Sequence, residues 1–118
     1  MIAQLSPADF SAWRDSLDAD GRAPVVLDVR EPWELQTASV TEDGFTLLRI
    51  PMREVPARVE ELRQQFGTDH PVACLCHHGM RSLQVANFLA QSGFTAVVNL
   101  QGGIDAWSRQ RDTAVPLY

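Results

Sequence analysis

The sequence predicts an α/β domain built on a mostly parallel central sheet with helices on both faces. Three observations carry that expectation. Short apolar runs rich in Val, Leu and Ile recur along the chain, the look of strands buried on both sides. Between them lie segments whose apolar residues return every three or four positions, the helical period. Gly and Pro punctuate the junctions. Strands that alternate with helices require right-handed crossovers, and those produce parallel pairing with a helix layer on each face.

The elements follow in order. Ser6-Pro7 ahead of Ala8 to Trp13 reads as a helix start, with Ser at the cap, Pro in the first turn and Asp9 just inside. Val25 to Val29 is the first predicted strand, after a turn marked by Gly21 and Pro24. Glu31 to Leu35 is a short helical turn opened by Pro32. Phe45 to Ile50 is the second strand, stopped by Pro51. Val55, Val59, Leu62 and Phe66 stripe one face of a helix that Gly67 ends. Val72 to Cys76 is the third strand, launched by Pro71. Leu83 to Gln91 is a helix with Val85, Phe88 and Leu89 on one face and Gly93 at its C-cap. Ala96 to Leu100 is the fourth strand, and Ile104 to Arg109 opens a last helix after Gly102-Gly103.

At 118 residues the chain has the size of one domain, residues 1–118, able to bury a core without disulfides or metal. Its net charge is −5 and all 10 basic side chains are Arg. An acidic chain without a basic stripe is not built for nucleic acid or for an anionic membrane surface. The first residues carry neither a basic nor an apolar signal region, and no apolar run is long enough to span a bilayer. A cytoplasmic protein is expected, in which two Cys form no disulfide framework and a free thiol stays available.

In open parallel sheets, ligands bind beyond the carboxyl ends of the strands. That rule points at Arg30 to Trp33, Cys76 to Arg81 and Gln101 to Gly103. The middle stretch, Cys74-Leu75-Cys76-His77-His78-Gly79-Met80-Arg81-Ser82, holds both cysteines and two of the three histidines. A zinc site is disfavoured, because Cys-x-Cys followed by adjacent His lacks the usual ligand spacing. A Cys74–Cys76 disulfide is disfavoured too: residues i and i+2 of a strand lie roughly 6.5 Å apart with parallel Cβ vectors. Cys74 reads as a small buried hydrophobe. Cys76 stands at the strand end, before a sharp turn into a helix. Backbone N–H groups converge there, Gly79 lets the chain curl, and the helix N-terminus and Arg81 favour thiolate over thiol. Those conditions make a nucleophile.

At this point the chain resembles a single-domain rhodanese, of the sulfurtransferase family. The resemblance runs nearly end to end: Leu27-Asp28-Val29-Arg30-Glu31 at a strand end, Ile50-Pro51, Cys76-His77-His78-Gly79-Met80-Arg81-Ser82 as the active loop, and Leu100-Gln101-Gly102-Gly103-Ile104-Asp105-Ala106-Trp107. It implies the rhodanese-like three-layer fold. It implies that Cys76 takes a sulfane sulfur as a covalent persulfide, with no other cofactor, and passes it to a thiol, a cyanide-like acceptor or a protein acceptor. It also implies that the N–H groups of His77, His78, Gly79, Met80, Arg81 and Ser82 cradle the persulfide, and that Arg81 attracts a small anionic donor such as thiosulfate. One segment departs from the family: residues 37–44, Thr37 to Gly44, lack the Gly-His-Ile-Pro-Gly-Ala run of many relatives.

Two alternatives stand beside this reading. Cysteine phosphatases and arsenate reductases use a related loop with five residues between Cys and Arg. Here four separate Cys76 from Arg81, a narrower ring suited to one sulfur atom. A non-turnover persulfide carrier or a regulatory module is the other; regulatory modules commonly lack the Cys that is present here. Among supporting residues, Asp28 is expected to tie loop backbone or Arg30, and Arg30 to be an ion-pair partner. Gly102 and Gly103 are expected to permit a tight turn beside the active loop. Trp13 and Trp107 are read as packing residues, Trp33 as core or edge packing with a place at the rim as the alternative, the His77 and His78 side chains as exposed or substrate-touching, and His70 as a turn residue.

Overall fold

A computed structural model describes residues 2–17 and 22–118; Gly21 of the turn expected before the first predicted strand lies outside them. Five parallel strands form one sheet in the order β1-β5-β4-β2-β3. They are β1 (Ala3–Leu5), β2 (Val25–Asp28), β3 (Thr46–Arg49), β4 (Val72–Leu75) and β5 (Val97–Leu100). The helices are α1 (Phe10–Ser16), α2 (Pro32–Thr37), α3 (Val55–Phe66), α4 (Met80–Gln91) and α5 (Gly103–Gln110).

Strand periodicity sorts the core into two layers. Val25, Leu27, Val72 and Cys74 point to one face, where Val55 and Leu62 of α3 and Val85, Ala86 and Leu89 of α4 cover them. Val26, Ala73, Leu75 and Leu100 point to the other, beneath Phe10 of α1 and Ile104 and Trp107 of α5. There Phe10 packs edge-on against Phe45 and Trp107, with ring centroids 5.4 and 5.0 Å away. β2 and β4 are buried throughout, as expected of central parallel strands.

The strand β1 was not predicted. It has three residues, mostly exposed, and lies at the sheet edge in register with Val98, Asn99 and Leu100 of β5. An edge segment of that length has no apolar run to announce it. Two further differences concern the active loop. Cys76 falls one residue beyond β4, and α4 begins at Met80 instead of Leu83, so Met80, Arg81 and Ser82 form its first turn. At the start of the chain, Pro7–Asp9 is a 3-10 turn and the α-helix proper opens at Phe10.

Of the departing segment only Ala38 and Val40 are buried, while Thr37 and residues 41–44 are exposed. Ala38, Val40 and Phe45 join the second core layer, and Arg14 donates to the Asp43 carbonyl across 2.7 Å. His70 is more than a turn residue: it is buried, with Nε2 2.8 Å from the Ala23 carbonyl oxygen. Among the described residues no helix is long and apolar enough to cross a membrane.

Candidate active site

Cys76 follows the central strand β4 and is 1% exposed. Its carbonyl and that of His77 accept from the start of α5: Ile104 N–H donates to Cys76 O at 2.8 Å and Asp105 N–H to His77 O at 3.2 Å. Only Gly fits at position 103, where φ is +62° and a Cβ would overlap those two carbonyl oxygens. Gly79, at φ +99°, donates its N–H to Cys76 Sγ across 3.0 Å. The first-turn amides of α4 at Met80, Arg81 and Ser82 follow, and helix geometry gives them no intrahelical partner.

Ser82 supplies the second polar group at the sulfur. Its hydroxyl lies 3.3 Å from Cys76 Sγ and 2.5 Å from Asn99 Oδ1. One hydroxyl carries one proton, so the two acceptors compete for it. Asn99 is held in place by its own amide, which donates to Gln4 Oε1 at 2.9 Å and to Gly79 O at 3.1 Å. β1 therefore contributes to the site through Gln4, and the unpredicted edge strand braces the loop. Cys74, two residues before Cys76, is fully buried; burial and the neighbouring Cys76 charge push its thiol up to about 12. It is an inert core residue.

Arg81 does not stand free at the mouth. Its two terminal nitrogens donate to the two oxygens of Glu34, at 2.7 and 2.8 Å. Glu34 also accepts from Glu31 N–H at 3.1 Å and from the Tyr118 hydroxyl at 2.7 Å, so each carboxylate oxygen takes two bonds. The Arg81 bonds are the chief cause holding its carboxyl down at about 2, against the opposing effect of burial. Behind this pair, Arg30 and Asp28 are both wholly buried and joined at 2.7 Å. Arg30 also donates to Ala38 O at 2.9 Å and to the Tyr118 hydroxyl at 3.0 Å. Asp28 and Arg30 thus reach the loop only through Tyr118 and Glu34.

His77 is turned aside as well. Its ring stacks on Tyr118 at 3.9 Å and on His78 at 3.8 Å. Its Nε2 lies 2.9 Å from the Tyr118 main-chain oxygen, which can only accept, so Nε2 carries the proton. Burial and the adjacent His78 lower its pKa. His78 and Met80 are exposed. Trp33, read as core or edge packing with the rim as the alternative, is 63% exposed and touches Tyr118 edge-on. It is the second residue of a surface helix of only six residues.

Cys76, Gly79 and Ser82 are therefore brought together at the sulfur, with Gly102 and Gly103 behind them. The sequence reading had not singled out Glu34, Asn99, Gln4 or Tyr118. Two of these carried a signal: Glu34 sits three residues after Glu31 at a helix start, and Asn99 interrupts an apolar strand, where a polar group must be paired.

Residues 6–110 match the family model described as a rhodanese-like domain. A chloroplastic rhodanese-like/PpiC domain-containing protein of Arabidopsis thaliana is 37% identical over 93 residues, covering 79% of this chain and 30% of that protein. A protein named sulfurtransferase from Allochromatium vinosum is 34% identical over 91 residues, covering 77% of this chain and 78% of its own. Among solved structures, a rhodanese-related protein from Thermoplasma volcanium gives a TM-score of 0.68 at 30% identity, over 98% of this chain and 99% of that one. A thiosulfate sulfurtransferase from Pseudomonas aeruginosa gives 0.70 at 25% identity, over 92% of this chain and 19% of that one. The chain spans only a part of the Arabidopsis and Pseudomonas proteins.

Proposed function

The chain belongs to the rhodanese-like domain family, and from that membership we propose that it is a sulfurtransferase working through a persulfide on Cys76. The Cys76 thiolate attacks the outer sulfur of a sulfane donor, for which thiosulfate is the simplest probe. The donor S–S bond breaks and sulfite leaves with the bonding pair, while the new S–S bond makes the Cys76 persulfide. A thiol or cyanide acceptor then attacks the terminal sulfur, and Cys76 departs as thiolate. Two displacements at sulfur give ping-pong kinetics.

The observation that carries this reading is the Gly79 N–H aimed at Cys76 Sγ from 3.0 Å, with the Ser82 hydroxyl beside it at 3.3 Å. Such donors stabilise the negative charge on the thiolate and on the terminal persulfide sulfur. Ser82 adds a switchable donor: its proton serves Asn99 while Cys76 is a thiol and swings to sulfur when charge develops there. The four-residue interval between Cys76 and Arg81 keeps the ring small, which favours one sulfur atom over a phosphoryl group. The test is steady-state turnover with thiosulfate and cyanide, reading thiocyanate. The wild type should turn over and Cys76→Ala should not. Hydrolysis of an aryl phosphate without sulfur transfer would replace this reading with that of a phosphatase.

A further inference from the structure

Arg81 is the basic residue of the active loop, and its charge is spent before any substrate arrives. Both of its terminal nitrogens are bound to Glu34, whose side chain is 3% exposed, while that of Arg81 is 36% exposed. The carboxylate cannot easily swing away, because Glu31 N–H and the Tyr118 hydroxyl hold its two oxygens from the other side. Arg81 nevertheless belongs to the mouth, since it stands in the first turn of α4 next to Ser82, whose hydroxyl lies 3.3 Å from Cys76 Sγ. The other cation of the neighbourhood, Arg30, is wholly buried and committed to Asp28.

A thiosulfate dianion entering this site meets a neutralised ion pair, and the sulfite that leaves it is a second concentrated charge. Resting on the sulfurtransferase reading above, we infer that Glu34 is a specificity-determining residue: by neutralising Arg81 it sets the Cys76 site against small dianionic donors and toward organic persulfides. In that reaction the Cys76 thiolate attacks the terminal sulfur of R–S–SH. The S–S bond of the donor breaks, R–S⁻ leaves with the electron pair, and the proton stays on the new Cys76 persulfide. The exposed Trp33 and Met80 at the rim give an organic R group apolar surface to rest on.

The test compares the rate of Cys76 persulfide formation, by quenched intact mass, with two donors at equal concentration: thiosulfate and 2-hydroxyethyl persulfide, whose R group is uncharged. The wild type should be charged faster by the organic persulfide. Glu34→Gln frees the Arg81 charge and should raise the thiosulfate-to-persulfide rate ratio by roughly tenfold. In wild type the thiosulfate rate should change little with added salt, whereas an unpaired cation gives a steep fall. That salt series decides the matter alone if Glu34→Gln does not fold. A ratio unmoved in a folded Glu34→Gln protein, or a steep salt dependence in wild type, overturns the inference and leaves the sulfurtransferase reading standing. No charging by either donor overturns both.

Discussion

The amide of Ile104 donates to the carbonyl oxygen of Cys76 at 2.8 Å, so the helix after β5 fixes the residue that follows β4. The two neighbouring central strands thereby share one piece of backbone chemistry. The first turn of α5 finds an acceptor it would otherwise lack, and the Cys76 carbonyl is tied to that turn.

Gly103 permits the approach, and Gly103→Ala should break it. A left-handed conformation is costly for Ala, and its Cβ would overlap backbone that cannot move without displacing Cys76. We expect a loss of about 2–4 kcal/mol in a urea titration, with sulfur transfer reduced more than the folded fraction alone accounts for. A variant as stable and as active as wild type would remove the steric basis of the loop.

Ser82→Ala should slow sulfur uptake. A hydrogen bond to a charged group contributes about 1.5–3 kcal/mol, so the rate of persulfide formation should fall by roughly tenfold to a hundredfold. Ser82→Thr, which keeps the hydroxyl, should recover part of that loss. Equal rates in Ala and Thr variants would assign Ser82 to packing alone.

The Glu34 clamp makes stability depend on pH in a defined window. Its folded pKa of about 2 lies below the ordinary 4.5, so the folded state binds the proton less readily than the unfolded chain. The stabilisation is present in full above pH 4.5 and is lost as pH falls toward 2. The shift corresponds to roughly 3 kcal/mol. Urea midpoints of wild type should therefore fall more steeply than those of Glu34→Gln between these limits; parallel curves would show that the ion pair contributes nothing.

Cys74 should remain a thiol wherever the protein is folded. With its pKa pushed up to about 12 and its side chain fully buried, iodoacetamide at pH 8 should modify Cys76 and leave Cys74 untouched until denaturant is added. Peptide mapping distinguishes the two, and Cys74 modification in the native protein would show that the core layer opens.

Much of this fold is legible because its central strands are buried on both faces. Val25 to Val29 and Val72 to Cys76 stand out as unbroken apolar runs, and each is located to within a residue at its C-terminal end. The edge strand β1 is not legible, since half of its pairing and most of its surface face water. At the site, Cys76 and Gly79 follow from strand, turn and helix in sequence order. Glu34 and Tyr118 do not, because their partners lie 47 and 84 residues apart from them in the chain. Arg81 shows the limit most clearly: its type and position are readable, but whether its charge is free depends on a carboxylate that only folding brings to it.

Persulfide formation on Cys76 is the central claim, and intact mass after exposure to a sulfane donor tests it most directly. Wild-type protein should gain the mass of one sulfur atom, removable by cyanide or by a thiol reductant, and Cys76→Ala should gain nothing. An identical gain on Cys76→Ala, or none on wild type with thiosulfate and organic persulfide alike, would contradict the account.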